Sequence, residues 1–351
     1  MQDGKIIVAY IGNGKSTNRY HIPFVLTRKN KFKIKSIYNP RVHHDVWPAV
    51  EGVIYTEHID DVYHDPEVDL VVVSTRQSLH YPYVKRALES GKHCLCEKPF
   101  METAEEAREV FALAKEKGLY CSAYQNRRYD SDFLTMQKVV EEGKLGGLLE
   151  VEMHYDYYRP EVPNGVEGFT KSSSYLYGHG CHTLDQAISY FGRPDHVHYD
   201  VRQLLGEGRM NDYFDLDLYY GILKVSIKSS YFRVKSRPKF VVYGKTGMFV
   251  KESDDRQEEH LKLFYLPGQP GFGKDLPQHY GVLTYYDGAG GFHEEKVPSL
   301  EGDYARVYDG IYDCIVHGKE PVIKHWETIL QMEMLEEGVR QMALAGKEGE
   351  K

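Results

Sequence analysis

Three short stretches of this chain carry side chains that could do chemistry. Gly12-Asn13-Gly14-Lys15-Ser16-Thr17 places two glycines ahead of a run of small polar residues. Gly12 permits a tight turn and Gly14 lets backbone approach an anion, while the N–H groups opening a following helix would point at it. That is the chemistry of holding a pyrophosphate. A plain strand–helix turn stays open as the alternative, because Thr17 stands where a third Gly or Ala is usual. The spacing is not that of a P-loop. Glu97-Lys98-Pro99 directly follows an apolar run. The carboxyl end of a parallel strand is where such sheets place ligands; a surface ion pair is the other reading. In Gly178-His179-Gly180-Cys181-His182-Thr183-Leu184-Asp185, His182 and Asp185 fall three apart and share a helix face. Leu184, Ala187, Ile188 and Phe191 form the opposite, apolar face. An imidazole with an ordinary pKa of about 6.5, held and charged by a carboxylate, suits a general base near neutral pH. A surface hydrogen bond or a zinc site stays open here, although neither a His-Glu-x-x-His nor a paired-Cys spacing occurs, and no metal is expected.

The elements that must position these groups can be read from periodicity. Apolar runs at 5–11, 32–38, 69–74, 93–96 and 119–123 read as strands, with helical patterns between most of them. At 103–117 the helix signal is clearest. Thr103 and Glu106 form a capping box, and Ala107, Val110, Phe111 and Ala114 share one face. Strand–helix alternation predicts a parallel sheet covered on both sides. The glycine turn then follows the first strand, and Lys98 follows the fourth of these runs. Beyond residue 124 the pattern changes. A helix at 131–142 precedes residues 150–157, where Val151, Met153, Tyr155 and Tyr157 alternate with Glu150, Glu152, His154 and Asp156. The same period of two recurs at 197–201, 214–218 and 223–227, which predicts a largely antiparallel sheet with one free face. A helix at 180–191 interrupts it, closed by Gly192 and Pro194. Helical spacing returns at 304–316 and 327–342.

Bulk composition narrows the function. The 351 residues carry 44 basic and 52 acidic side chains, a net charge of -8, which argues against a general nucleic-acid binder. No apolar run approaches the roughly 20 residues of a membrane-spanning helix, and no membrane partner is expected. Five cysteines, irregularly spaced, point away from a disulfide framework and towards a reducing cytoplasm. Cys94 and Cys96 read as buried strand thiols, with metal ligation the alternative.

Together the motifs are similar to those of the Gfo/Idh/MocA family of oxidoreductases, relatives of glucose–fructose oxidoreductase and inositol dehydrogenase. The marks are the Gly12/Gly14 turn, the loop Ser74-Thr75-Arg76-Gln77-Ser78-Leu79-His80, Glu97-Lys98-Pro99, and His182 with Asp185. Tyr124-Gln125-Asn126-Arg127-Arg128-Tyr129 and Tyr157-Tyr158-Arg159-Pro160 resemble a bacterial subgroup. The resemblance implies a Rossmann domain at 1–123. It implies a second domain at 124–351, with an open, mostly antiparallel sheet, for substrate binding and oligomerisation. The C-terminal helices are expected to pack back on the first domain. The resemblance implies that Thr75, His80, Glu97, Lys98 and Asn126 surround the ribose and nicotinamide, and that Lys98 and His182 face substrate; Arg76 is a further expected cofactor contact. Gly178 departs from the Asp that many sugar and inositol dehydrogenases of the family carry there.

The resulting expectation is an NAD(P)-dependent dehydrogenase or reductase. It would act on a secondary alcohol or carbonyl of a small polyol or sugar-like molecule and assemble as a homodimer or larger oligomer. Lys98, His182 and Asp185 would be catalytic, and Tyr124, Tyr158, Arg159, Tyr177 and His179 would line the substrate pocket. A non-catalytic, dinucleotide-binding sensor of the same fold is the alternative. NADP(H) is favoured over NAD(H). The second strand ends in Ser36-Ile37-Tyr38-Asn39-Pro40-Arg41 with no acid to bind a ribose. Arg41 offers a fork for a 2′-phosphate, and Asn39, Lys15 and Ser16 offer further donors.

Overall fold

The computed structural model describes residues 1–42, 46–166, 168–206 and 208–348. The chain divides into two units. The first comprises Met1–Asn126, His260–Phe272 and Tyr304–Met332; the second comprises Arg127–Glu259, Gly273–Asp303 and the chain from Glu333 onward. The return to the first unit through His260–Phe272 has no counterpart in the periodicity, because that stretch is loop-rich and carries no repeat.

In the first unit, β1 (Ile6–Ile11), β2 (Phe32–Tyr38), β3 (Ile54–Thr56), β4 (Leu70–Val73), β5 (His93–Cys96) and β6 (Cys121–Ala123) form one sheet in the order β3-β2-β1-β4-β5-β6. All its pairings are parallel. Every residue of β1 and β4 is buried, as a strand covered on both faces requires, which is why these read as unbroken apolar runs. The short edge strand β3 escaped the sequence reading; three residues with Ile54 exposed hold no period. The helix Ala104–Glu116 starts at the expected box. Thr103 accepts from the Glu106 N–H, Glu106 reaches back to the Thr103 N–H, and Ala107, Val110, Phe111 and Ala114 are buried. Each of the larger side chains contributes roughly 1.5–3 kcal/mol by leaving water.

The second unit is built on β7 (Leu148–His154), β8 (His196–Arg202), β9 (Tyr213–Tyr220), β10 (Leu223–Ser230), β11 (Phe240–Gly244), β12 (Gly247–Lys251), β13 (Gly281–Tyr286) and β14 (Phe292–Val297). Their order is β14-β13-β12-β11-β7-β10-β9-β8. Only β7 and β10 run parallel. In register, Val151 lies between Val225 and Val242, and Met153 between Ile227 and Phe240; all six are buried. The other face is charged. Lys224 pairs with Glu150 at 2.6 Å and Lys228 with Asp215 at 3.4 Å. The strands β11 to β14 went unread. β14 exposes all of its residues but Val297, so it lacks the alternation that marks a half-buried strand.

Buried acids hold the start of the helix Ser131–Glu141 to the loop after β12. One Asp255 oxygen accepts from the Ser131 N–H and the other from the Gln257 N–H, both at 2.7 Å; Asp132 accepts from the Asp255 N–H at 2.7 Å. The second Asp132 oxygen is buried with no partner. Burial, reinforced by Asp132, pushes the Asp255 carboxyl up to about 7, and burial raises Asp132 as well. A carboxyl whose pKa is raised on folding holds a proton that the unfolded chain has lost. The stability it contributes is therefore full at about pH 4 and falls as pH rises through 7. Asp132→Asn keeps the bond to Asp255 and removes the like charge. It should stabilise the fold more at pH 8 than at pH 5, by about 1.4 kcal/mol for a tenfold change in the Asp255 equilibrium, as read from thermal unfolding at the two pH values. Equal effects at both pH values would contradict the pairing.

Candidate functional site

The glycine turn is built as its sequence requires. Gly12 has φ +112°, and a Cβ there would stand 2.2 Å from the Ser74 carbonyl oxygen, so no other residue fits between the ends of β1 and β4. A Cβ on Gly14 would meet nothing within 4 Å, which leaves open space where a phosphate would approach. Thr17, in the position of the third glycine, is fully buried and donates to the Gly12 carbonyl at 2.7 Å. It braces the turn from inside. Lys15 is exposed and Ser16 half-buried beside it. A cradle that excludes a side chain at Gly12 and opens at Gly14 fits a dinucleotide pyrophosphate.

Glu97 and Lys98 leave the carboxyl end of β5. Glu97 is 5% exposed; one of its oxygens lies 3.1 Å from His21 Nε2, and the other accepts the Lys98 N–H at 3.0 Å. The other His21 nitrogen is 2.7 Å from the Tyr308 hydroxyl, which is 3.4 Å from that of Tyr10. One assignment serves every donor: Tyr10 donates to Tyr308, Tyr308 to His21 Nδ1, and His21 Nε2–H to Glu97. Burial alone would raise the Glu97 pKa, but the hydrogen bond from His21, with the charge and backbone N–H of Lys98, holds it below the usual carboxylate range. Lys98 itself is half-buried. His21 and Tyr308 were not among the residues read from sequence; a histidine after a helical turn and a tyrosine 287 positions away carry no joint signal.

Other expected cofactor residues divide into those free to meet a ligand and those spent on the fold. Thr75 is half-buried and Arg76 exposed, in the loop after β4. His80 is 1% exposed. One nitrogen faces the Pro99 and Phe100 carbonyls at 3.0 and 3.1 Å, the other that of Thr75 at 3.2 Å. Its ring ties the Thr75 loop to the loop of Lys98, so its service to a ligand is to place those loops. Asn126 is buried at 6%. Asn39 is half-buried and donates to the Arg41 carbonyl; Arg41 is exposed. One acid escaped the sequence reading: Glu57, just past β3, accepts the Val42 N–H at 2.8 Å. Tyr124 is corrected as a pocket residue. It is 1% exposed and donates to the Tyr20 carbonyl at 2.5 Å, its ring 4.1 Å from that of His21.

In the second unit the helix Cys181–Phe191 begins with His182 and Asp185, 6% and 3% exposed. Both Asp185 oxygens receive the Arg128 fork, at 2.7 and 2.8 Å. The sequence reading had Asp185 favour an imidazolium at His182. Paired with a guanidinium, its charge is already balanced, so its effect is to hold the helix start against the turn Asn126–Tyr129. Arg128 lies 57 positions away, beyond any local pattern. His179 stands among Tyr175, Tyr157, Tyr231 and Tyr155, with ring centres at 4.7, 5.2, 5.7 and 5.9 Å. Tyr155 also meets the His182 ring at 6.2 Å and carries the Lys239 ammonium 4.1 Å above its face. Tyr158 and Arg159 are exposed beside this cluster in sequence. Tyr177 is fully buried, which corrects its expected place on a pocket wall.

Among the described residues no group of His, Cys, Asp and Glu could hold a metal ion. The cysteines are free, and burial pushes the Cys94 and Cys96 thiols up, which makes them unreactive. No described helix is long and apolar enough to cross a membrane.

A doubly wound parallel sheet with this glycine turn, followed by an open mixed sheet, defines a two-unit dinucleotide-dependent oxidoreductase. Residues 6–125 match the oxidoreductase family, NAD-binding Rossmann fold, and residues 137–345 its C-terminal alpha/beta domain. The chain belongs to the Gfo/Idh/MocA oxidoreductase family and is an enzyme of the dehydrogenase/reductase kind. It is 46% identical to the oxidoreductase YhhX of Escherichia coli K12, over 95% of this chain and 96% of that one. It is 34% identical to the scyllo-inositol 2-dehydrogenase (NADP(+)) IolW of Bacillus subtilis, over 89% and 87%. The crystal structure of an oxidoreductase from Bacillus cereus superposes with a TM-score of 0.90 at 39% identity, covering 95% of each chain.

Proposed function

We propose that the protein moves hydride between a nicotinamide dinucleotide and a secondary alcohol, or its carbonyl, on a small polyol or sugar-like substrate. The observation that carries this reading is Lys98 at the carboxyl end of β5, with the preceding carboxylate anchored by His21. The bound nicotinamide supplies the hydride acceptor or donor. The chain supplies the rest. Lys98 donates a hydrogen bond to the substrate oxygen and stabilises negative charge developing there. His182 takes the hydroxyl proton, its helix held in place by the Arg128–Asp185 fork. Tyr158, Arg159 and His179 are left as the residues contacting substrate. The name of the 34%-identical relative supports an inositol as the first substrate to try. Five free cysteines support a reducing cytoplasm as its location. The test is a panel of inositols, sugars and sugar acids with both cofactors, followed by reduced-nicotinamide absorbance. Tight dinucleotide binding with no turnover on any of them would favour the non-catalytic sensor instead.

NADP(H) is the proposed partner, because Arg41 is exposed at the end of β2 and Glu57 is engaged by a main-chain N–H. A charge-assisted bond to the 2′-phosphate is worth about 1.5–3 kcal/mol. NADP should therefore bind about tenfold tighter than NAD, and Arg41→Ala should erase the difference. Tighter binding of NAD by the wild type would overturn the assignment.

The half-exposed charged face of β7, β9 and β10 supports a homodimer, formed by two copies of this sheet packed face to face. Light scattering should give twice the 40.6 kDa chain mass at micromolar concentration. Because the face is a ladder of charges, the dimer should loosen at high salt. A monomer at low salt would refute it.

A further inference from the structure

We infer that Arg19 is a second recognition residue for the phosphate end of the dinucleotide and selects for a 2′-phosphomonoester on its adenosine. This rests on the NADP-preferring reading above. Arg19 lies in the turn Ser16–His21, directly after the glycines, and its side chain reaches the loop that follows β2. Its guanidinium carbon stands 5.8 Å from the centre of the Trp47 ring and 5.9 Å from that of Phe264, over both rings. The two rings are 6.2 Å apart and inclined by 47°. Arg19 Nε is buried and has no hydrogen-bond partner. Phe264 holds φ at +57°, the left-handed region that a bulky side chain seldom adopts, and the residue is 64% exposed.

Two of these features cost free energy, and packing alone calls for neither. A buried guanidinium donor without an acceptor forfeits a hydrogen bond it had in water. A strained aromatic left facing solvent gains little by burial. Outliers of this kind collect where a ligand is to be met. The geometry names the ligand's chemistry. Both ring centres lie to one side of the guanidinium carbon, and N–H groups on its other side match the oxygens of a phosphate. The location names the phosphate. The turn after the glycines and the loop after β2 flank the carboxyl ends of β1 and β2, where doubly wound sheets hold the adenosine ribose. Asn39 and Arg41 stand on that same loop. Phe264 arrives through His260–Phe272, which belongs to the first unit although it comes from late in the chain.

Calorimetry with NADP, NAD and adenosine 2′,5′-bisphosphate tests the assignment, on wild type, Arg19→Ala and Arg19→Lys. Trp47 emission is read in parallel in a Trp326→Phe background, which leaves one tryptophan of the two. Arg19→Ala should weaken NADP and the bisphosphate by about tenfold, or 1.4 kcal/mol, and leave NAD within about twofold. The bisphosphate should quench Trp47 in the Trp326→Phe protein. Should Arg19→Ala fail to fold, Arg19→Lys decides: it keeps the charge but loses the fork, and a selective loss for the 2′-phosphate ligands supports the role. Equal weakening of NAD and NADP, or no change in either, overturns it. Preference of the wild type for NAD would instead bring down the NADP reading, and this inference with it.

Discussion

Lys98→Ala is expected to lower kcat by about 10²–10³, with the dinucleotide Kd within about tenfold of wild type. The argument is one of position. Lys98 follows β5, while the turn at Gly12 and Gly14, the proposed pyrophosphate cradle, follows β1; β4 lies between those strands. Removing the ammonium should therefore cost the reacting end and spare the phosphate end. His182→Ala is expected to cost about 10²–10⁴ in kcat, the worth of a positioned general base, again with dinucleotide affinity retained. Steady-state rates on a verified substrate, with Kd from fluorescence titration of the reduced cofactor, read both numbers. Wild-type-like rates in both variants would remove the mechanism.

The second large effect concerns stability. Arg128→Ala should destabilise the fold by about 3–5 kcal/mol, because it leaves the Asp185 carboxylate buried and uncompensated. Arg128 and Asp185 are 8% and 3% exposed and share a two-pronged contact, so solvent screens the pair weakly. Replacing both residues with leucine should cost far less than Arg128→Ala alone, since the loss comes from the orphaned charge. Urea unfolding of the single and double variants measures this. A single-variant loss below 1 kcal/mol would show that water or another group takes over the carboxylate.

Periodicity was a good guide where a strand is covered on both faces or alternates cleanly. β1, β2, β4, β5 and the helix Ala104–Glu116 were legible for that reason, and the capping box at Thr103 was legible because both its halves lie within one turn. β3 and β14 were not, since a short or mostly exposed edge strand leaves no hydrophobic pattern. The candidate site divides in the same way. Gly12, Lys98 and His182 stand in local motifs at the ends of elements, and could be named from spacing. His21, Tyr308, Arg128 and Phe264 could not, because each matters through a partner far along the chain.

By itself the sequence determined the kind of protein. The glycine turn after a buried strand, the Glu97-Lys98-Pro99 loop and the switch from parallel to antiparallel patterning are all consequences of local conformational preference and burial. Only the tertiary structure decided what each polar group is spent on. Asp185 turns to Arg128, Glu97 is shared between His21 and the Lys98 N–H, His80 bridges two loops, and Tyr124 and Tyr177 are buried. The physical reason is that a buried donor or acceptor must find a partner wherever the fold offers one. That partner is chosen by proximity in space, and spacing along the chain does not record it.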